Sequence, residues 1–374
     1  MKRITLVTWG GGGNYGTSLQ SFALHKILQN LGYDVTFGFG GIPAKFTLKH
    51  KVKHILSLFG IDTSKIRHRL HHAENPRKMQ KLRKFVKDNY NIQQPIYTKI
   101  QADKFINSTD VFVTGSDQIW NTRYCFNPNY FLDFARDKKR IAYASSMGIS
   151  DFPEEHKPEV KRLLSKFQHI GVREHTAVKS ISTLLDRSDV LQVLDPTFLL
   201  DKNDWFNISQ SATIEIEIPQ RYIFCYLIGN NPWYKEQIAD VMESTGIDKL
   251  IIVPAVENKD FSIDGATIYD AAGPLEFVKL VKEAALVCTD SFHATALSLN
   301  MEKPFVEFIR FSDESKESQN SRIYDLLGRY NLNHRIYNKS DKRWVESIDY
   351  TSVTRQICED RKESLDFLVE SIEN

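Results

Sequence analysis

The sequence predicts an α/β protein of two doubly wound domains facing one another across a cleft, with a basic helical insertion in the first. Three observations carry that expectation. Strand-like and helix-like stretches alternate twice along the chain, a glycine-rich loop separates the first strand from the first helix, and a polar, aperiodic stretch over 201–220 divides the two series. A chain of 374 residues with 41% hydrophobic content exceeds one ordinary core and suits two. The expected units are 1–200, carrying the insertion at about 45–104, and 221–340. Residues 341–374 are expected as helices packing back on the first unit.

Taken in order, Ile4 to Trp9 reads as a strand, Gly10 to Gly13 as a loop, and Ser18 to Leu31 as a helix with Leu19, Phe22, Ala23 and Ile27 on one face. Gly32 ends that helix and a second strand runs from Asp34 to Phe39, a βαβ start. The spacing of the first-loop glycines matches neither a dinucleotide fingerprint nor a phosphate loop with its lysine. From about 45 to 104 basic residues dominate. A solvated face is the plain reading of them and contact with anionic lipid head groups the sharper one; His68, His71 and His72 lack carboxylate or cysteine companions and read as surface. Val111–Thr114, Arg140–Ala144, Ile170–Val172 and Val190–Leu194 continue the first series, with a helix from His175 to Leu185. In the second series Tyr222–Ile228, Lys249–Val253, Leu286–Thr289 and Pro304–Phe308 read as strands, and Tyr234–Ser244 and Pro274–Ala284 as helices. Trp344 to Glu373 is amphipathic.

Composition excludes several classes. Lysine and arginine number 49 against 47 acidic residues, a net of +2, too little to make nucleic acid a bulk electrostatic partner. The cysteines Cys125, Cys225, Cys288 and Cys358 have no paired spacing, which argues against a zinc site or disulfide framework and fits a reducing cytosol; nothing calls for a metal. The basic start breaks at Trp9 and four glycines, so it reads as a strand and not a signal peptide, and no stretch is long enough to span a bilayer. A cytoplasmic protein is expected, meeting any lipid-linked substrate peripherally at the inner face of the membrane.

Chemistry concentrates in loops after strands, where open parallel sheets bind ligands. Leu286-Val287-Cys288-Thr289-Asp290-Ser291-Phe292-His293 is a buried strand running into a helix whose first turn carries Ser291 and His293. Free amides and a partial positive charge there suit a phosphate or carboxylate, although Asp290 or Ser291 as a plain N-cap and His293 as a packed ring fit equally. Gly115-Ser116-Asp117-Gln118-Ile119-Trp120-Asn121 is a polar loop in which Asp117 either faces a ligand or caps a turn over Trp120. Arg173 either grips an anion through its fork or pairs with Glu174.

These segments, with Asn14-Tyr15-Gly16-Thr17-Ser18-Leu19-Gln20, Tyr143-Ala144-Ser145-Ser146-Met147-Gly148 and Leu194-Asp195-Pro196-Thr197, stand in the order and context of the polysaccharide pyruvyl transferase family, which the chain resembles over most of its length. The resemblance implies two Rossmann-like domains arranged as in GT-B glycosyltransferases. It implies transfer of a pyruvyl group from phosphoenolpyruvate, with no other cofactor, to two hydroxyls of a sugar in a surface or exported glycan or its lipid-linked precursor. The second domain is then the donor side, with Arg173, Ser291, His293, Arg310 and Arg322 expected at phosphoenolpyruvate. The first is the acceptor side, with Asn14, Tyr15, Gln118 and Trp120. His293 is expected to bind phosphate and act as acid, and Asp117 to orient or deprotonate a hydroxyl. Some members carry arginine where Ser291 stands and aspartate where Thr17 stands, so Arg310 and Arg322 are the substitutes for the first, and a carboxylate role is not carried over to the second. A nucleotide-sugar glycosyltransferase and an inactive glycan-binding relative are the alternatives.

Overall fold

The computed structural model describes residues 1–10, 13–38, 42, 43, 46, 47, 49, 50, 52, 53, 55, 75–312, 314, 315 and 318–374. The first series forms β1 (Arg3–Val7), α1 (Tyr15–Asn30), β2 (Asp34–Gly38), α2 (Pro76–Asn89), α3 (Lys99–Ser108), β3 (Val111–Thr114), β4 (Lys139–Ser145), α4 (Lys157–Leu164), β5 (His169–Val172), α5 (His175–Leu185) and β6 (Val190–Gln192). Its six strands make one parallel sheet in the order β2-β1-β3-β4-β5-β6. α6 (Lys202–Ser209) follows. The second series forms β7 (Ile223–Tyr226), α7 (Tyr234–Thr245), β8 (Leu250–Ile252), β9 (Thr267–Ile268), α8 (Pro274–Glu283), β10 (Leu286–Thr289), α9 (Phe292–Asn300), β11 (Phe305–Glu307), α10 (Ser321–Arg329) and α11 (Tyr350–Glu373). Its parallel sheet runs β11-β10-β7-β8-β9.

These orders place the site. In the first sheet β1 lies between β2 and β3, so the crossovers leaving it diverge and open a crevice beyond the carboxyl ends of β1 and β3. In the second sheet β7 lies between β10 and β8, which opens the matching crevice beyond β7 and β10. Strands such as Val111–Thr114, Ile223–Tyr226 and Leu286–Thr289 are buried at every residue, because helices cover both faces of a parallel sheet. The inner faces of the two sheets share one continuous apolar cluster, from Leu6 and Leu19 through Phe277 to Leu297. Tyr15, at the start of α1, stacks on Phe277 of α8 with centroids 4.7 Å apart and donates to the Ala272 carbonyl at 2.9 Å.

Two expectations change here. The stretch over 201–220 is not aperiodic throughout: Asp201 and Asp204 form a capping box that starts α6, and Trp205 sinks into the core with its indole donating to the Thr197 carbonyl at 2.9 Å. A single buried tryptophan in eight residues leaves too faint a period to read. Much of the basic insertion, His68, His71 and His72 included, lies outside the described residues. Its described part is not simply a solvated face, since Lys78 is buried with its ammonium 4.7 Å above the Tyr15 ring, and Lys81 bonds Tyr269 at 2.9 Å and pairs with Glu276 at 3.2 Å. Lys81 of α2 thus reaches the second series.

The terminal helix α11 touches both halves. Ser364 accepts from the Leu194 amide at 2.9 Å, Phe367 packs over Gly171 of β5, and Lys2 donates to the Ile372 carbonyl at 2.9 Å. Asp360 receives Arg329 at 2.6 Å and Tyr330 at 3.1 Å. No described helix is long and apolar enough to cross a membrane.

Candidate active site in the interdomain cleft

A cavity of about 470 Å3 lies where the two crevices meet. Asn14, Asp117 and Gln118 line it from the first sheet's loops; Ser291, His293, Arg310 and Arg322 line it from the second. Those seven expected residues are therefore brought together. Three are not. Tyr15 is spent on the domain junction, and Trp120 is buried, stacked on Phe131 at 5.5 Å with its indole donating to the Tyr130 carbonyl at 3.0 Å. Arg173 lies behind the cavity wall: its Nε donates to Glu174 at 2.8 Å, its Nη1 to Asp195 at 3.0 Å, and its guanidinium covers the Phe292 ring at 4.0 Å. Two carboxylates already take up its charge.

Arg173 instead helps build a pair that involves an aspartate with no expected role. Asp195 closes the turn after β6 and is fully buried. Its Oδ1 accepts from the Thr197 amide at 3.0 Å and hydroxyl at 2.8 Å, and its Oδ2 from the Ser116 hydroxyl at 2.9 Å. The same Oδ2 faces His293 Nε2 at 3.5 Å. Burial opposes ionisation of Asp195, yet His293, Arg173 and the Thr197 amide outweigh it and hold the carboxyl well below its usual range. A buried carboxylate facing one ring nitrogen orients an imidazole. Nδ1, the other nitrogen, makes no hydrogen bond among the described residues. Nδ1 lies against Gly16, whose missing side chain leaves room for the ring, since a Cβ there would sit 2.3 Å from Nδ1. The sequence signal for Asp195 is its place at the end of a strand in Leu194-Asp195-Pro196-Thr197; nothing in it points to His293.

On the second-domain side, Asp290 is fully engaged. It accepts from the amides of Ile228 and Gly229, both at 2.7 Å, and from the Tyr234 hydroxyl at 2.8 Å. It thereby shapes the loop after β7 and caps nothing. Ser291 stands at the N-cap of α9 without making a side-chain cap bond, so the start of that helix reaches the cavity with its first-turn donors unclaimed by a cap.

The two arginines differ. Arg310 is held by Asp290, Nε to Oδ2 at 3.2 Å and Nη2 to the backbone oxygen at 2.8 Å. Arg322, on α10, is buried; its Nη2 donates to Gln319 Oε1 at 2.8 Å and its Nε to the Gln319 carbonyl at 3.3 Å, and its Nη1 donates to the Gln118 side-chain oxygen at 2.7 Å. Among the described residues no carboxylate pairs with it. Burial, and then Arg173 and Arg310, push its pKa down. An arginine nonetheless keeps its proton at neutral pH, so a positive charge is buried beside the cavity. The same Gln118 amide donates to Gln319 Oε1 at 3.3 Å, a bond across the cleft.

Asp117 adopts a left-handed conformation, φ 68°, which turns its carboxylate to the cavity. Its Oδ2 accepts from the Thr17 hydroxyl at 2.7 Å and its Oδ1 from the Gln118 amide at 2.8 Å. Thr17 thus supports the carboxylate of Asp117 and supplies none itself. Among the described residues no group of three or more His, Cys, Asp or Glu side chains is placed to hold a metal.

The family model described as polysaccharide pyruvyl transferase matches residues 14–313. Among solved structures the chain is similar to the UDP-GlcNAc 2-epimerase of Neisseria meningitidis bound to UDP-GlcNAc, at 11% identity over 99% of this chain and 100% of that one, TM-score 0.48. It is similar also to a Streptomyces sp. SF2575 glycosyltransferase complexed with thymidine diphosphate, at 12% identity over 99% of each chain, TM-score 0.44. No curated protein matches the chain.

Proposed function

The chain belongs to the polysaccharide pyruvyl transferase family, and from that membership we propose that it moves the enolpyruvyl-derived group of phosphoenolpyruvate onto two hydroxyls of a hexose in a surface or exported glycan, or its lipid-linked precursor, forming a cyclic ketal and releasing phosphate. The observation that carries the reading is the buried Arg322, with no carboxylate partner among the described residues, in one cavity with the start of α9 and the His293–Asp195 pair. A small donor carrying both a phosphate and a carboxylate supplies what those groups lack. The cavity volume lies within the roughly 300–1,000 Å3 that small-molecule sites occupy.

The proton inventory of such a transfer is closed. Two hydroxyls each lose a proton; the methylene carbon of the enol gains one to become a methyl group, and the departing phosphate gains the other. Phosphoenolpyruvate's C2–O bond to phosphate breaks while two C2–O bonds to the sugar form. His293, oriented by Asp195, is the proton donor. Asp117, fixed by Thr17 and its own turn, receives a hydroxyl proton on the opposite side of the cleft. Arg322 and the α9 amides take the donor's anionic groups.

A nucleotide-sugar glycosyltransferase on this fold needs a carboxylate after the second-domain loop for the ribose. Glu307 is fully buried and bonded by the Thr295 hydroxyl, and Glu302 is paired with Lys202 at 2.7 Å, so neither serves. Incubating the protein with phosphoenolpyruvate and a panel of hexose glycosides tests the reading: phosphate release that depends on the glycoside is expected. Release of UDP from a sugar donor instead would replace it with the glycosyltransferase, and glycan binding without turnover of either donor with the inactive relative.

A further inference from the structure

We propose that Trp9 and Tyr124 form a stacking subsite at the mouth of the cleft for the apolar face of a hexopyranose ring, turning its hydroxyl edge toward Asp117. The proposal rests on the transferase reading only in calling that sugar the acceptor. Tyr124 is 80% exposed, yet it lines the cavity. It is also held in place, since its amide donates to the Asn121 carbonyl at 3.1 Å and to the Asn121 side-chain oxygen at 3.3 Å. Its ring meets Trp9 edge-on, centroids 6.3 Å apart at 68°, and Trp9 in turn meets Tyr130 edge-on at 6.2 Å and 82°. The Tyr130 carbonyl accepts from the Trp120 indole at 3.0 Å and from the Thr114 hydroxyl at 2.9 Å, so the rim stands on a fixed base. Two rings set at a steep angle make a corner that accepts a flat ring, one face on Tyr124 and one edge on Trp9.

The chemistry of that corner selects a sugar. A hexopyranose offers a face of C–H bonds that suits the negative face of an aromatic ring, and a rim of hydroxyls for the carboxylate and amides of Asp117, Asn14 and Gln118 beside it. A nucleobase also stacks on aromatic rings. Its phosphate, however, needs a cation, and the lining cations Arg310 and Arg322 both come from the second domain.

Tyr124→Ala and Tyr124→Phe in the full chain test the proposal, with steady-state kinetics for both substrates and calorimetric titration of methyl hexosides without donor. Tyr124→Ala is expected to raise the KM for the glycoside about tenfold, equivalent to roughly 1.4 kcal/mol of binding. It is expected to leave the KM for phosphoenolpyruvate and the Tm unchanged, and Tyr124→Phe to behave as wild type. An unchanged glycoside KM overturns the subsite. Should phosphoenolpyruvate not be turned over at all, the titration decides alone: hexoside binding weakened by Tyr124→Ala sustains the stacking site while the transferase reading fails. No hexoside binding to the wild type, or Tyr124-dependent binding of a nucleoside monophosphate instead, overturns it.

Discussion

At Gly16 the missing side chain is what the site uses. Alanine inside a helix is ordinarily favoured over glycine by about 1 kcal/mol, but here a Cβ would lie 2.3 Å from His293 Nδ1 and 2.7 Å from its Cγ. Gly16→Ala is therefore expected to lower the Tm and abolish turnover; a raised Tm with activity retained in thermal and kinetic assays would show that the imidazole is free to move away. Asp195 acts at the same ring from the other side. Asp195→Asn keeps the shape and removes the charge that faces His293 Nε2. A loss of kcat of at least about a hundredfold is expected with it. An unchanged kcat in steady-state assays would reduce Asp195 to a turn-former. Arg173, clamped between Glu174 and Asp195, is expected on replacement by lysine to cost stability and not affinity for the donor.

Where β11 meets α9, a polar contact is buried in the second domain. Glu307 is fully buried, its carboxyl takes the Thr295 hydroxyl, and burial pushes its pKa well above the usual carboxylate range against the pull of that bond. Above the ordinary glutamate value of about 4.3 the unfolded chain has lost a proton that the folded one still holds, so stability falls as pH rises. Glu307→Gln keeps an acceptor for Thr295 and removes that loss. Its Tm is expected to exceed the wild-type value near pH 8 by a margin that shrinks toward pH 5; scanning calorimetry across that range showing a constant gap would sink the idea. Elements with a strong repeat, such as the helix over His175–Leu185, stand where periodicity puts them. α6 does not, because one tryptophan and one serine are its only buried residues. The basic α2 hides its role in the same way, since Lys78 covers Tyr15 of α1 and Lys81 pairs with Glu276 of the second series, partners that no local pattern contains.

Across the whole molecule, the cleft ties the two sheets into one binding unit. The shared apolar cluster and α11, anchored at Leu194 and at Arg329, oppose independent opening of the halves. A donor gripped from the second side while the acceptor docks on the first is expected to protect both together. Phosphoenolpyruvate at about a hundred times its Kd should add roughly 2.7 kcal/mol to a single unfolding transition. Arg322→Gln should lose most of that protection while retaining the apo Tm, or gaining slightly, because an uncompensated buried charge is gone. Equal protection of wild type and variant in a thermal-shift titration would remove Arg322 from the donor site.

The residue order alone determined the alternation of strands and helices and a set of loop motifs specific enough to indicate the family. Those are properties of neighbouring residues, carried by local periodicity and spacing. Tertiary structure decided which charges are spent and which are free: Arg173 neutralised by Glu174 and Asp195, Arg310 by Asp290, Arg322 by neither. It also decided which aromatics are buried, Tyr15 and Trp120, and which stand at the rim, Trp9 and Tyr124. The physical reason is that compensation and burial depend on groups distant in the chain and adjacent in space, as Asp195 is to His293.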